Sequence, residues 1–188
     1  MNRRLFIAIN LPENIKDKIQ EILKASPAYY DDHIMFAKPE NWHLTVSFLG
    51  YQPEEAINKI IESIKDTAKK FQNPLIEFEK IIWGPLNKPP RMLWMLGSIE
   101  SAKKMEDIKN VVENNLKKNN IRFEKEERRF NCHLTLARFK TGKVKTSEIE
   151  LPKIEKMAFN ANSLDLIESH LNRSGAKYEN LLAVKFNQ

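Results

Sequence analysis

Along the chain, runs of apolar residues alternate with stretches of helical period. Arg4-Leu5-Phe6-Ile7-Ala8-Ile9 reads as a buried strand, and Leu11-Pro12 closes it at a place where proline suits a helix start. Ile15, Ile19, Ile22 and Leu23 then recur at helical spacing. After the stop at Gly50, Ile57, Ile60, Ile61, Ile64 and Ala68 predict a second amphipathic helix within 53–70. Pro74-Leu75-Ile76-Glu77-Phe78 and Lys80-Ile81-Ile82-Trp83 predict strands or strand edges, ended by Gly84-Pro85. Arg91-Met92-Leu93-Trp94-Met95-Leu96 restarts the pattern as a strand. A helix follows, with Ser101 as its expected N-cap and Met105, Ile108, Val111, Val112 and Leu116 as its apolar stripe. Two last strands, Ser163 to His170 and Leu181 to Phe186, flank the turn-prone Asn172-Arg173-Ser174-Gly175. Strands interspersed with about three helices predict an α+β protein. Its mainly antiparallel sheets carry helices on one face and leave the other free to form a cleft.

The order strand, helix, His-containing strand, Pro-x-Ile-Glu occurs twice. The second copies lie 87 residues on (Arg4 to Arg91), 90 on (His43 to His133) and 78 on, where Pro152-Lys153-Ile154-Glu155 follows Pro74-Leu75-Ile76-Glu77. Such ordered correspondence indicates an internal duplication. It is imperfect, because the offsets differ and the 53–70 helix has no second copy. We therefore expect residues 1–188 to form a single bilobal domain. Its repeat units span about 4–84 and 91–170, with exchange of strands between the lobes left open.

The chemistry sits in the repeated frame. Asn41-Trp42-His43-Leu44-Thr45-Val46 is echoed by Asn131-Cys132-His133-Leu134-Thr135-Leu136, which uses two of only four histidines. On a strand, His and Thr two apart share one face while the residues between and after them enter a core. If the copies face each other across a cleft, two imidazoles and two hydroxyls converge, a set suited to acid-base chemistry on a phosphate. A metal is not expected: His-x-Thr lacks zinc-ligand spacing and no acidic residue recurs in the frames. Cys132 faces away from His133 on a regular strand and takes the place of Trp42, so both are expected to be packed in the core rather than reactive. Arg138, five residues after His133, stands where the first copy has Phe48. It directly follows the motif, where a strand end or bulge turns it into the cleft and lets it fork two donors onto a phosphate. The run Glu124 to Arg129 and the segment Lys140 to Lys145 read as solvated loops whose cations can guide an RNA backbone. Trp42, Trp83 and Trp94 are expected in the core rather than as stacking platforms, and His33 and His170 have no assigned role.

Composition changes this picture little. The 188 residues carry 31 Lys and Arg against 25 Asp and Glu, a net charge of +6 that modestly favours an anionic partner. One cysteine excludes an intrachain disulfide framework and fits a reduced compartment. The apolar run Leu5 to Ile9 is too brief for a signal-peptide core, and no run approaches a membrane span, so the expected location is cytoplasmic.

The paired His-x-Thr-apolar frames resemble those of the 2H phosphoesterase superfamily, and within it the RNA 2′,3′-cyclic phosphodiesterases, also called 2′-5′ RNA ligases. The likeness extends over nearly the whole chain. It includes Arg4 to Ile9 with Leu11-Pro12, His43 to Gly50, Arg91 to Leu96, His133 to Arg138, Leu166 to Ser169, and Gly175 to Glu179. The resemblance implies a bilobal, pseudo-twofold fold, with two mainly antiparallel sheets and outer helices around a central cleft. It also implies metal-free hydrolysis of RNA 2′,3′-cyclic phosphate ends to 2′-phosphates, with 2′-5′ ligation as the reverse type of reaction. His43 is then the proton donor and His133 the acceptor, while Thr45, Thr135 and Arg138 bind the phosphate, with no metal or cofactor. Near-symmetry alone leaves the donor and acceptor interchangeable. The implied partner is RNA with 2′,3′-cyclic phosphate ends, tRNA fragments among them, and the implied state is a monomer that binds no membrane. Two alternatives are a non-catalytic RNA-end binding module and a phosphodiesterase for 2′-5′ oligonucleotides or small cyclic phosphates.

Overall fold

The computed structural model describes residues 2–126, 130–172 and 175–187. Glu127 to Arg129 of the predicted charged loop, and Arg173-Ser174 of the predicted turn, lie outside the described residues. The elements are β1 (Asn2–Asn10), α1 (Glu13–Lys24), β2 (Met35–Phe36), β3 (His43–Pro53), α2 (Ile57–Ala68), β4 (Leu75–Gly84), β5 (Met92–Gly97), α3 (Ile99–Lys118), β6 (His133–Arg138), β7 (Met157–Asn160), β8 (Ser163–Asn172) and β9 (Gly175–Lys185). No helix is long and apolar enough to cross a membrane among the described residues.

The strands form one sheet in the order β7-β4-β5-β6-β3-β1-β8-β9, with the short β2 beside β6. The two sheets implied above are thus joined. The join is narrow, a single pair, Leu44 with Leu134, linking a half of β7, β4, β5 and β6 to a half of β3, β1, β8 and β9. Chain order does not follow the halves: β4 pairs with β5 and β7 in one half, and β8 pairs with β1 in the other.

Alternation builds one large core on the helix side. Leu5, Ile7 and Ile9 of β1, Leu44 and Val46 of β3, Leu93 and Met95 of β5, and Leu134 and Leu136 of β6 meet Ile15, Ile19, Ile60, Ile64, Met105, Ile108 and Val112 from the three helices. Each of these residues is at most 2 % exposed. Truncating any of the large ones to Ala is expected to cost about 2–5 kcal/mol. On the opposite face, Phe6, Ala8 and Ile167 form a separate small buried group with Tyr178 packed against it, and Trp94 of β5 is buried in the other half.

Three sequence expectations need correction. The N-cap of α3 is Ser98, whose Oγ accepts from the Ser101 main-chain N–H. Ser101 instead bonds sideways, accepting from the Glu77 main-chain N–H and so tying α3 to β4. The two predicted strands of 74–83 are one strand, with a register break beside Phe78 and Lys80. The match of Arg4–Ile9 to Arg91–Leu96 is off by one: Ile9 pairs with Leu44 where Met95 pairs with Leu134, so Ile9 corresponds to Met95. A one-residue slip exchanges the faces of a strand, and an unbroken apolar run gives no warning of it. The second Pro-x-Ile-Glu segment, at 152–155, lies outside the strands, ahead of β7.

Candidate active site

β3 and β6 start at His43 and His133. Because Leu44, Val46, Leu134 and Leu136 enter the helix-side core, His43, Thr45, His133 and Thr135 stand on the helix-free face, partly buried. The seam sets their relation. Continuing the Leu44–Leu134 register by one residue in each direction puts His43 level with Thr135 and Thr45 level with His133. β9 lies three strands from β3, about 14 Å in a flat sheet. The ring of Tyr178 nevertheless sits 5.0 Å from that of His43, so the sheet curls around this face.

The same main-chain contact orients both imidazoles. Nδ1 of His43 lies 2.8 Å from the Asn41 carbonyl oxygen, and Nδ1 of His133 lies 2.8 Å from that of Asn131. A carbonyl only accepts, so Nδ1 of each neutral ring carries the hydrogen and Nε2 holds the lone pair. Burial is the main cause that lowers both histidines from their usual 6.5, His43 to about 4. The positive charges of His133 and Arg138 lower His43 further, against the Asn41 carbonyl. At His133 the Asn131 carbonyl and Glu126 oppose the lowering, and Arg138 adds to it. His43, His133 and Arg138 therefore share one electrostatic neighbourhood.

A β-bulge supplies the rest. Trp94 pairs with Thr135 but Leu93 with Ala137, so Leu136 is an extra residue, and Arg138 is turned to the helix-free face beside Met92. Its Nη1 lies 3.4 Å from the Met92 sulfur. β3 breaks at the same place, since Ala8 pairs with Thr45 but Ile7 with Ser47. Ser47 is consequently buried and donates to Glu113 of α3 at 3.0 Å, and Glu113 also pairs with Lys109. Phe48 emerges on the helix-free face, 57 % exposed, at the place Arg138 takes in the other half.

The rings under the histidines differ. His43 meets Phe6 at 4.8 Å and the edge of Tyr178, whereas His133 lies over Trp94 at 4.1 Å and 34°. Trp94 is 6 % exposed, so it is buried as expected, and it is also the floor beneath His133. A Cβ on Gly84 would come within 2.5 Å of the Trp94 ring, so only glycine fits behind that floor. Cys132 packs against Gly97 on the other side, and burial pushes its thiol up to about 12, which leaves no thiolate for attack. Sequence reasoning gave no role to Phe6, Phe48 or Tyr178. Phe48 was visible only as the counterpart of Arg138, and the bulge that exposes it leaves no mark in the pattern.

Among the described residues, the one group of three metal-capable side chains is Glu168, His170 and Glu179. Glu168 pairs with Leu5, so this group lies on the helix side, where Arg3 binds Glu168. A surface cavity of about 440 Å³ between α1 and residues 153–158 holds no histidine.

The sequence matches the family model described as LigT like Phosphoesterase twice, over residues 9–94 and 97–178. It is 31% identical over 180 residues to the RNA 2′,3′-cyclic phosphodiesterase of Methanocaldococcus jannaschii, covering 94% of this chain and 96% of that one. It is 30% identical over 146 residues to the protein of the same name from Archaeoglobus fulgidus, 78% of each chain. The crystal structure of E. coli LigT complexed with 3′-AMP has the same fold, with a TM-score of 0.72 at 21% identity over 100% of both chains.

Proposed function

The chain belongs to the LigT-like phosphoesterase family, and from that premise we propose that it hydrolyses the 2′,3′-cyclic phosphate at the end of an RNA to a 2′-phosphate. The observation that carries this reading is the repeated Nδ1–carbonyl contact, which leaves two Nε2 atoms free on one face of the seam. The neutral Nε2 of His133 takes a proton from water as the water oxygen bonds to phosphorus. The P–O3′ bond breaks in line with that attack, and the departing O3′ receives a proton from Nε2 of protonated His43. Thr45 and Thr135 donate to the non-bridging oxygens, and Arg138 offsets their charge. A 5′-hydroxyl in place of water would give a 2′-5′ linkage by the same transfers. Fragments of tRNA with cyclic ends are one source of such a substrate.

The roles of the two histidines follow from the family resemblance. Charge in the free protein leans the other way, since Glu126 supports a proton on His133 and, among the described residues, no carboxylate does so for His43. The charge of one ring affects the other, and the anionic substrate favours the single proton that the reaction needs, on Nε2 of His43. A binding module needs the anion donors but gains nothing from two free Nε2 atoms.

The test is to incubate metal-free protein, in chelator, with an RNA ending in a 2′,3′-cyclic phosphate and to locate the phosphate on the product. Hydrolysis to a 2′-phosphate is expected. A 3′-phosphate product, or complete loss in EDTA restored by a divalent ion, would overturn the mechanism.

A further inference from the structure

The helix-free face of the β3 half can be mapped row by row from the strand registers. Thr45 lies beside Ala8 and Asp165; Phe48 beside Phe6 and Ile167; Tyr51 beside Arg4, whose Nη1 donates to Ser169 Oγ at 3.0 Å. Moving away from the threonine, and past the single Leu44–Leu134 pairing with β6, β3 thus presents Thr45, Phe48 and Tyr51 on this face. Phe48 is 57 % and Tyr51 67 % exposed, large rings with little to cover them on a face otherwise closed by Phe6, Ala8 and Ile167. Each row is two residues of β1 from the next, about 7 Å. That is about twice the 3.4 Å step between stacked bases. Successive bases of a strand following this track cannot lie on one another, so each meets an aromatic ring instead.

The two neighbouring arginines divide between the faces. Arg3 is held by Glu168 and Glu54 on the helix side. Among the described residues, Arg4 is held only by a neutral hydroxyl, and no carboxylate lies within ion-pair distance of it. A guanidinium fixed in place with its charge unspent, beside an exposed tyrosine, is a phosphate-and-base pair of contacts.

Resting on the cyclic-phosphodiesterase reading above, we propose that Tyr51 and Arg4 form a subsite for the nucleotide preceding the cyclic end. The substrate is then a single-stranded RNA end of two or more nucleotides, in preference to a mononucleoside cyclic phosphate. Phe48 takes the terminal base, Arg4 the phosphate that joins the last two nucleosides, and Tyr51 the base before it. Bases are held by their faces, so the subsite accepts any sequence.

The experiment measures kcat/KM for a short RNA with a 2′,3′-cyclic end and for the corresponding mononucleoside 2′,3′-cyclic phosphate, with wild type, Tyr51→Ala, Tyr51→Phe and Arg4→Gln. Wild type should prefer the RNA. Tyr51→Ala should reduce the RNA-over-mononucleoside ratio by roughly tenfold, the scale of one lost base-aromatic stack, and Tyr51→Phe should retain it. Arg4→Gln should reduce the ratio and flatten its salt dependence by about one counterion. Wild type that turns over both substrates equally well, or a Tyr51→Ala loss shared equally by both, would overturn the subsite while leaving the cyclic-phosphodiesterase reading intact. Failure of wild type on both substrates would overturn that reading, and the subsite with it.

Discussion

The two motif strands share a backbone and differ in almost everything that touches it. β3 and β6 each begin at a histidine, aim it by the carbonyl two residues upstream, place a threonine beyond it, and bulge one residue later. Around this common frame, His43 stands between Phe6 and Tyr178 while His133 lies on Trp94. Past the bulge one strand presents Phe48 and the other Arg138. Behind it, one strand buries Ser47 against the Lys109–Glu113 pair, and the other buries the methyl group of Ala137. The comparison separates two tasks. Main chain fixes where both Nε2 atoms face, and side chains decide what each half offers beside them, a guanidinium in one and an apolar ring in the other.

The largest effect should come from removing what the halves share. His43→Ala and His133→Ala should each lower kcat for cyclic-phosphate hydrolysis by roughly 10²-fold or more, while binding of the RNA end, measured by fluorescence anisotropy, survives better than turnover. An aryl phosphodiester, whose leaving group needs no proton, then tells the two apart. It should rescue His43→Ala and leave His133→Ala inactive; the opposite pattern would exchange their roles.

Next in size is the residue that breaks the symmetry. Arg138→Ala should lower kcat/KM by roughly 10- to 100-fold, as for a lost charge-assisted contact to phosphate. Phe48→Ala should weaken RNA binding with less change in kcat. If Arg138→Ala and Phe48→Ala behaved alike, the halves would not be divided as described. Thr45→Val and Thr135→Val remove one hydrogen bond each and should cost about tenfold, with similar values because each sits level with the opposite histidine.

The smallest change tests the floor of one half only. In Gly84→Ala the new methyl group meets the Trp94 ring, and overpacking of this kind costs about 1–3 kcal/mol. A lowered Tm in thermal unfolding, with a modest loss of turnover through a displaced His133, is expected. An unchanged Tm would mean that the floor is not rigid.

Much of this was legible in the sequence because it depends on local period. The strand at Leu5 to Ile9, the three helices and the His-Thr faces follow from alternation within a few residues. What escaped depends on partners distant in sequence. The true correspondence of Ile9 with Met95 is set by pairing to Leu44 and Leu134, which an unbroken apolar run does not encode. Ser98 rather than Ser101 caps α3, two similar hydroxyls whose roles are divided by the approach of Glu77 from β4. Trp94 is buried, in keeping with the expectation of a core position, but its second face, under His133, exists only once β5 and β6 are paired.

Whether two histidines exchange protons on one phosphate shows in the pH dependence of kcat/KM for wild type on an RNA with a cyclic end, across about pH 4 to 9. Catalysis requires one neutral and one charged imidazole, and kcat/KM reports the free protein. Burial lowers both histidines, so the charged form is lost as pH rises through values below the usual 6.5. The profile should be a bell with its maximum below 6.5 and a fall of about tenfold per pH unit through neutrality. The kcat profile should shift upward, because the bound anion favours the charged rings. A kcat/KM that instead rises and stays level through pH 8 would mean that no protonated histidine is needed, and would contradict the two-histidine mechanism.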